Sequence, residues 1–341
     1  MKVYLEKLIQ GNSLTMGEMR AATLACLSDT VTDSQIAAFL TALQAKGETA
    51  EEIAGLTDFI RANSTFQMDV LDGVMDNCGT GGDQSGSFNI STTAAFVIAG
   101  AGITIAKYGN RSVSSKTGSA DVLEHLGVSL FFTKQQIKEA LANNQIAFLF
   151  APHVHQTLKP FGKVRNELGL PTIFNMIGPL TNPVQLNTQL IGVYREDKLE
   201  LIASALKKLG RQRAVVVHGA GGMDEASLSG TNHLIVLEEK ELKRFTLHPN
   251  DVNLPVYPNQ AIQGGTAKEN AAITLSVLQG QPSAYLDTVL LNAGLGIYAQ
   301  GAAATIQTGI EMARKSITSG NALTKLERLR TISEKFTSEV G

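Results

Sequence analysis

The sequence predicts an α/β protein: a small all-helical N-terminal domain followed by a large α/β domain with a central, mainly parallel sheet covered by helices. Two observations carry that expectation. From residue 1 to about residue 63, apolar residues recur at three and four spacing in "YLEKLI", "MRAATLACL", "QIAAFLTALQ" and "IAGLTDFI". After about residue 69 the texture changes to short β-branched or apolar runs, "ITIAK", "QIAFLF", "QLIGVY" and "RAVVVHG", separated by helix-sized segments. That alternation marks strands buried on both faces by crossover helices. The expected units are 1–68, joined by helices from about 160–185, and 69–341.

Each element has a local cause. Thr15 with Glu18, Thr32 with Gln35 and Thr49 with Glu52 form capping boxes, which give acceptors to amide groups that a helix start leaves unbonded. In the C-terminal third, "LIVLEE" and "LKRFTL" are expected to pair as antiparallel strands. From Glu269 onward the pattern is helical to the end, and no repeat or low-complexity tract interrupts the chain.

Composition narrows the function. Hydrophobic residues make up 43% and charged ones 18% of 341 residues, enough for a substantial core and without a bias toward disorder. A formal net charge of -2, from 29 Lys+Arg and 31 Asp+Glu, supplies no basic field for gripping nucleic acid. A small-molecule partner is expected instead. The two cysteines, Cys26 and Cys78, exclude a disulfide framework or a CxxC motif. "MKVYLEKLIQ" has no signal-peptide core, and the longest apolar runs fall short of the ~18 residues of a membrane span. A cytoplasmic location without membrane contact is expected.

Three loops carry the chemistry. In "DNCGTGGDQSGSFNIST" (76–92), four glycines let backbone amides approach an anion, while Asn89, Ser91 and Thr92 sit at the start of the helical run "AAFVIAGAG". It matches neither a Walker loop nor the dinucleotide GxGxxG pattern, and a plain glycine turn with a Ser cap is the local alternative. In "KYGNRSVSSKTGSADVLEHLG" (107–127), Lys107, Arg111 and Lys116 are interleaved with hydroxyls, which suits a polyphosphate. The alternative there is a solvated loop with Ser119 capping the next helix. In "RAVVVHGAGGMDEASLSG", a buried strand runs into a glycine turn and the adjacent acids Asp224 and Glu225, a seat for Mg²⁺ or an exposed acidic turn. His153 and His155 stand about 200° apart if helical, so joint metal binding is not expected.

"GTGGD", "FNIST", "KYGNRSVSSKTGSADVLEHLG", "IFNMIGPLTNP", "VVVHGAGGMDE" and "GGTAKENAAI", in this order and spacing, closely resemble the anthranilate phosphoribosyltransferases. The similarity extends over nearly the whole chain. It implies a reaction in which the amino group of anthranilate displaces diphosphate from phosphoribosyl diphosphate (PRPP), with Mg²⁺ serving the diphosphate, in a homodimer paired through the helical parts. By matching positions, Gly79, Gly82, Asp83, Ser87, Asn89, Ile90, Ser91 and Thr92 fall on the diphosphate loop. Lys107, Tyr108, Gly109, Asn110, Arg111, Ser112, Val113, Ser114 and Ser115, with Ser119, fall on the second PRPP segment. Ser91, Asp224 and Glu225 match metal positions; Gly79, Asn110 and Arg165 match anthranilate positions, where a guanidinium fork suits an aromatic carboxylate. Two departures stand out: Tyr108 where the family usually has His, and Pro171 where Arg is frequent.

Loss of diphosphate develops positive charge on the ribose and negative charge on the leaving group, so preorganised donors and a cation are what the chemistry needs. The weakly basic aromatic amine needs positioning more than deprotonation, and no residue is assigned as general acid or base. The rivals are a pyrimidine nucleoside phosphorylase, which would leave Asp224 and Glu225 without a purpose, and a catalytically silent relative that binds nucleic acid, which would want a basic groove.

Overall fold

All three capping boxes close. The Thr15, Thr32 and Thr49 hydroxyls each accept the amide three residues on at 3.3 Å, and Glu18, Gln35 and Glu52 reach back to the capping amide at 2.8, 3.1 and 2.8 Å. They start α2 (Met16–Cys26), α3 (Asp33–Lys46) and α4 (Ala50–Ala62), which follow α1 (Lys2–Ile9). The computed structural model describes residues 1–66, 68, 73–111 and 117–338; Ser112, Val113, Ser114, Ser115 and Lys116 lie outside the described residues.

Seven strands form one sheet: β1 (Met75–Gly79), β2 (Ile105–Gly109), β3 (Ile146–Phe150), β4 (Thr188–Gly192), β5 (Arg213–His218), β6 (Asn232–Glu238) and β7 (Glu241–Leu247). Their order is β3-β2-β1-β4-β5-β6-β7. The first five run parallel, and β6 and β7 add an antiparallel edge. Between the strands lie α5 (Ile90–Gly100), α6 (Ser119–His125), α7 (Lys134–Asn144), α8 (Ala151–Val154), α9 (Lys159–Leu168), α10 (Phe174–Ile177) and α11 (Leu199–Lys208). The last quarter is helical: α12 (Ala267–Leu278), α13 (Ala284–Gln300), α14 (Ile306–Thr318) and α15 (Asn321–Ser338).

Along β4, β5 and β6 the period of two sends alternate side chains to two hydrophobic clusters. Val215 and Val217 join the cluster of α5 and α13, whereas Ala214 and Val216 join that of α1–α4, α9 and α11. Phe161, Val164, Ile173 and Ile177 pack with the N-terminal helices in the second cluster. Before β4, the described residues pass from one cluster to the other at three places: between Ile60 and Phe66, Val154 and Phe161, and Leu180 and Val184.

β1 is the element that the sequence pattern conceals. "MDNCG" has no apolar alternation, yet it lies at the centre of the five parallel strands. Its polar side chains are satisfied by distant groups: Asp76 accepts from the Tyr108 amide at 3.2 Å and from Asn182 Nδ2 at 3.0 Å, and Asn77 Nδ2 donates to the Ser91 carbonyl at 2.8 Å. Burial pushes the Asp76 carboxyl above its usual range, opposed by the Lys107 charge and these bonds.

Candidate active site

The strand order reverses at β1, which has β2 on one side and β4 on the other. In parallel sheets, ligands bind outside the carboxyl ends of the strands at such a switch point. There β1 and β4 end in register on Gly79 and Gly192. A Cβ on Gly79 would run into Asp224 Oδ2, and one on Gly192 into the Asp224 carbonyl. Two glycines on one rung thus open the seat that Asp224 occupies.

The glycine loop wraps this acid. Gly81 and Gly82 take φ of 74° and 85°, the left-handed region that a Cβ disfavours. The Gly81 amide donates to Asp224 Oδ2 at 2.6 Å, and the Asp224 amide lies 3.4 Å from Asp83 Oδ2. The segment "IQGGTAKEN" clamps the loop from outside: Phe88 N–H donates to the Ile262 carbonyl at 3.2 Å, Gly264 N–H to the Gly86 carbonyl at 2.8 Å, and Gln263 Nε2 to the Ser85 carbonyl at 2.8 Å. Asn270 Nδ2 holds Asn89 Oδ1 at 2.8 Å. Sequence reading singled out "GGTAKENAAI" as a motif without giving it this work.

Asn89 occupies the cap position of α5, but its side chain makes no capping bond. The Ile90 amide turns back to the Phe88 carbonyl at 2.8 Å, and that of Ser91 donates to Glu225 Oε1 at 3.2 Å. Lys107 is 1% exposed, and its Nζ donates to the Asn77 carbonyl at 2.6 Å. The Asp224 and Glu225 side chains keep some surface open to the cleft, yet crowded protein raises both carboxyls. For Asp224 the Asp83 and Glu225 charges add to desolvation; for Glu225 the Lys107 charge and Ser91 oppose it. Glycine loop, helix start, buried lysine and acid pair thus converge.

The second loop is stitched at its ends. The Asn110 carbonyl accepts from Ser119 Oγ at 3.1 Å and from the Ala120 amide at 3.2 Å, and a Cβ on Gly109 would collide with Ser119 Oγ. Gly118, not Ser119, caps α6, with Asp121 reaching back to the Gly118 amide at 2.9 Å. The Arg111 guanidinium is committed to Asp121 and Glu124 at 2.6, 2.7 and 2.9 Å. Since alternate residues of a strand face opposite ways, Tyr108 leaves the Lys107 side and lies buried against His155 and Thr181.

Arg165 projects from α9 over the Phe174 ring, 5.1 Å from its centroid. Burial lowers its pKa, and among the described residues no carboxylate pairs with it; its neighbour Lys163 instead meets Asp33 at 2.5 Å. Pro171 lines a cavity of about 200 Å³ together with Thr80, Thr172 and Tyr194. His153 stacks edge-on with Phe66 and Phe131, whereas His155 turns to the Thr181 carbonyl, so the two do not converge.

The oxygen donors Asp224, Glu225 and Ser91 suit a hard cation, and a divalent ion would relieve two carboxylates that burial and the neighbouring Asp83 charge both raise. Among the described residues no three His, Cys, Asp or Glu side chains are placed to hold a metal ion together. Among them, too, no helix is long and apolar enough to cross a membrane.

A helical bundle followed by an α/β domain is the arrangement of the glycosyl transferase family. Family models for the a/b domain and the helical bundle domain of the glycosyl transferase family match residues 71–323 and 2–64. The chain is 58% identical over 340 residues to the anthranilate phosphoribosyltransferase of Oceanobacillus iheyensis, covering 100% of both. It superposes on the crystal structure of the Thermus thermophilus anthranilate phosphoribosyltransferase with a TM-score of 0.92 at 37% identity, covering 97% of this chain and 99% of that one. The Saccharomyces cerevisiae enzyme in complex with PRPP and Mg gives 0.89 at 29% identity, covering 98% and 97%. The chain belongs to the anthranilate phosphoribosyltransferases, enzymes that transfer the phosphoribosyl group of PRPP to the amino group of anthranilate and release diphosphate.

Proposed function

We propose that this chain carries out the family's transfer, the second step from chorismate to tryptophan, at the β1–β4 switch point, with the acceptor held on the α9 side. The observation that supports it is the seating of Asp224 between two side-chain-free strand ends, against the glycine loop and the uncapped start of α5. This wall is built to meet a polyphosphate through backbone amides and a screened acid pair.

Backbone amides of the loop that holds Gly79, Gly82, Asp83 and Ser87, and those at the start of α5 from Asn89 to Thr92, face the diphosphate. Lys107 places a buried positive charge beside Glu225. The segment from Lys107 to Asn110, with Ser119, positions the phosphoribosyl group; Arg111, its guanidinium committed to Asp121 and Glu124, contributes only its backbone. Mg²⁺, when bound at Asp224, Glu225 and Ser91, neutralises charge on the diphosphate. Arg165 forks onto the anthranilate carboxylate, while Gly79 and Asn110 complete the acceptor contact. The carbon–oxygen bond to diphosphate breaks and the carbon–nitrogen bond to anthranilate forms; the amine proton is lost without an assigned side-chain base.

Exposed Val3, Ile9 and Leu24 on α1 and α2 supply an apolar face for a homodimer, and the cytoplasm is the compartment. Units of 1–68 with 160–185, and of 69–341, are part of this reading. Mixing the protein with anthranilate, PRPP and Mg²⁺ should extinguish anthranilate fluorescence, and chelator should stop the loss. Fluorescence that stays constant with Mg²⁺ present would reject the assignment.

A further inference from the structure

The three crossings between the hydrophobic clusters are fastened together at one place. On the first, Ser64 Oγ donates to the Val154 carbonyl at 2.8 Å, and the Thr65 amide donates to the same oxygen at 3.3 Å. One residue on, His155 Nε2 holds the Thr181 carbonyl at 2.8 Å, which joins the second crossing to the third. The third is then tied to the sheet: Asn182 Nδ2 donates to Asp76 Oδ2 at 3.0 Å and to the Ala106 carbonyl at 2.8 Å.

The remaining tie is Tyr108, 6% exposed, whose ring meets His155 edge-on at 5.9 Å. Its hydroxyl lies 3.2 Å from Thr181 Oγ1, and that same Oγ1 lies 2.8 Å from the Gly178 carbonyl. The Thr181 hydroxyl is the donor in both contacts, its single proton shared between the Tyr108 hydroxyl and the Gly178 carbonyl. Asp76 and Tyr108 belong to β1 and β2, whose ends carry the glycine loop and Asn110; Thr181 ends the segment that runs from α9, and thus from Arg165, back to the sheet.

We propose that Tyr108 is a positioning residue: through Thr181 and His155 its hydroxyl couples the PRPP-binding strand ends to the segment that follows Arg165, so that filling the diphosphate loop orders the acceptor side. The inference rests on the functional reading above. It predicts a behaviour that a merely satisfied core tyrosine lacks, namely transmission of PRPP binding to residues 172–182.

Hydrogen exchange across 172–182 with and without PRPP and Mg²⁺ tests it in the native protein, Tyr108→Phe, Thr181→Val and the double variant. PRPP should slow this exchange in the native protein by about tenfold, and either single substitution should remove most of that effect, the scale of one hydrogen bond. The double variant should lose no more than either single one. The KM for anthranilate should rise about fivefold in both, with the KM for PRPP changing far less. Protection that is absent from the native protein or equal in Tyr108→Phe, losses that add in the double variant, or KM values that rise together would each overturn the coupling. Tyr108→Phe keeps the ring, and Thr181→Val interrogates the same bond from the other side. Failure of the Arg165 assignment is seen separately, as an unchanged anthranilate KM in Arg165→Ala.

Discussion

At the β1–β4 junction Asp224 is held by the Gly81 amide, by the missing side chains of Gly79 and Gly192, and by a loop clamped from 262–270. On α9, Arg165 rests on one aromatic ring with no carboxylate beside it among the described residues. The difference follows the reaction. A departing diphosphate needs donors that do not reorganise as charge develops, whereas an acceptor whose amine is already nucleophilic needs orientation. On the proposed assignment, the diphosphate side is fixed several times over, whereas Arg165 on the acceptor side rests on one ring.

The sharpest way to break this comparison is to put a methyl group into the rigid half. Gly79→Ala or Gly192→Ala should displace Asp224 and lower kcat/KM by about 100-fold or more, the cost of a misplacement of roughly 1 Å. Near-normal turnover in a folded variant would show that the junction is less constrained than its geometry implies. Replacing Asp224 by Asn and Glu225 by Gln together comes next, with kcat falling by about 100-fold at limiting Mg²⁺ and recovering in part as Mg²⁺ is raised. Turnover indifferent to the ion would remove the metal from these residues. On the acceptor side, Arg165→Ala should raise the anthranilate KM by about 10-fold, a charge-assisted bond's worth, while the PRPP KM stays close to native. Equal changes in both would erase the contrast between the halves.

The smallest effect concerns stability. Burial lowers the His155 pKa from 6.5 to about 4, although its bond to the Thr181 carbonyl opposes the shift. Between those values the unfolded chain binds a proton that the folded chain refuses. The stabilisation from keeping this imidazole neutral is therefore complete above pH 6.5 and is lost as pH falls through about 4, at most about 3 kcal/mol. His155→Gln should flatten the fall of melting temperature across that window relative to the native protein. Parallel curves would mean that His155 is not what the acid titrates.

Much of this was legible because local chemistry and tertiary position agree. The four apolar strands, the β6–β7 pair and the three boxed helix starts each follow from residues that touch one another in sequence. β1 was not legible, since what keeps Asp76 and Asn77 in the sheet comes from Asn182, Tyr108 and Ser91. Gly192 carried a faint signal, a glycine closing "QLIGVY", but its need becomes visible only with Asp224 above it. Asp83 was placed at the diphosphate, and its approach to the Asp224 amide could not be read. Ser119 was given to helix capping in one local reading, and that work falls to Gly118 and Asp121 because the helix starts one residue earlier than that reading assumed.

The paired glycines also constrain how this sequence can change. Gly79 faces Gly192 only while β1 and β4 keep their register, because the rung before it brings Cys78 against Ile191. A one-residue insertion or deletion in either strand reverses which side chains face each way and closes the opening with a side chain, even where the hydrophobic layers repack. Length in these two strands is therefore a chemical constraint, and variation among working descendants of this chain should enter as substitutions there and as insertions elsewhere.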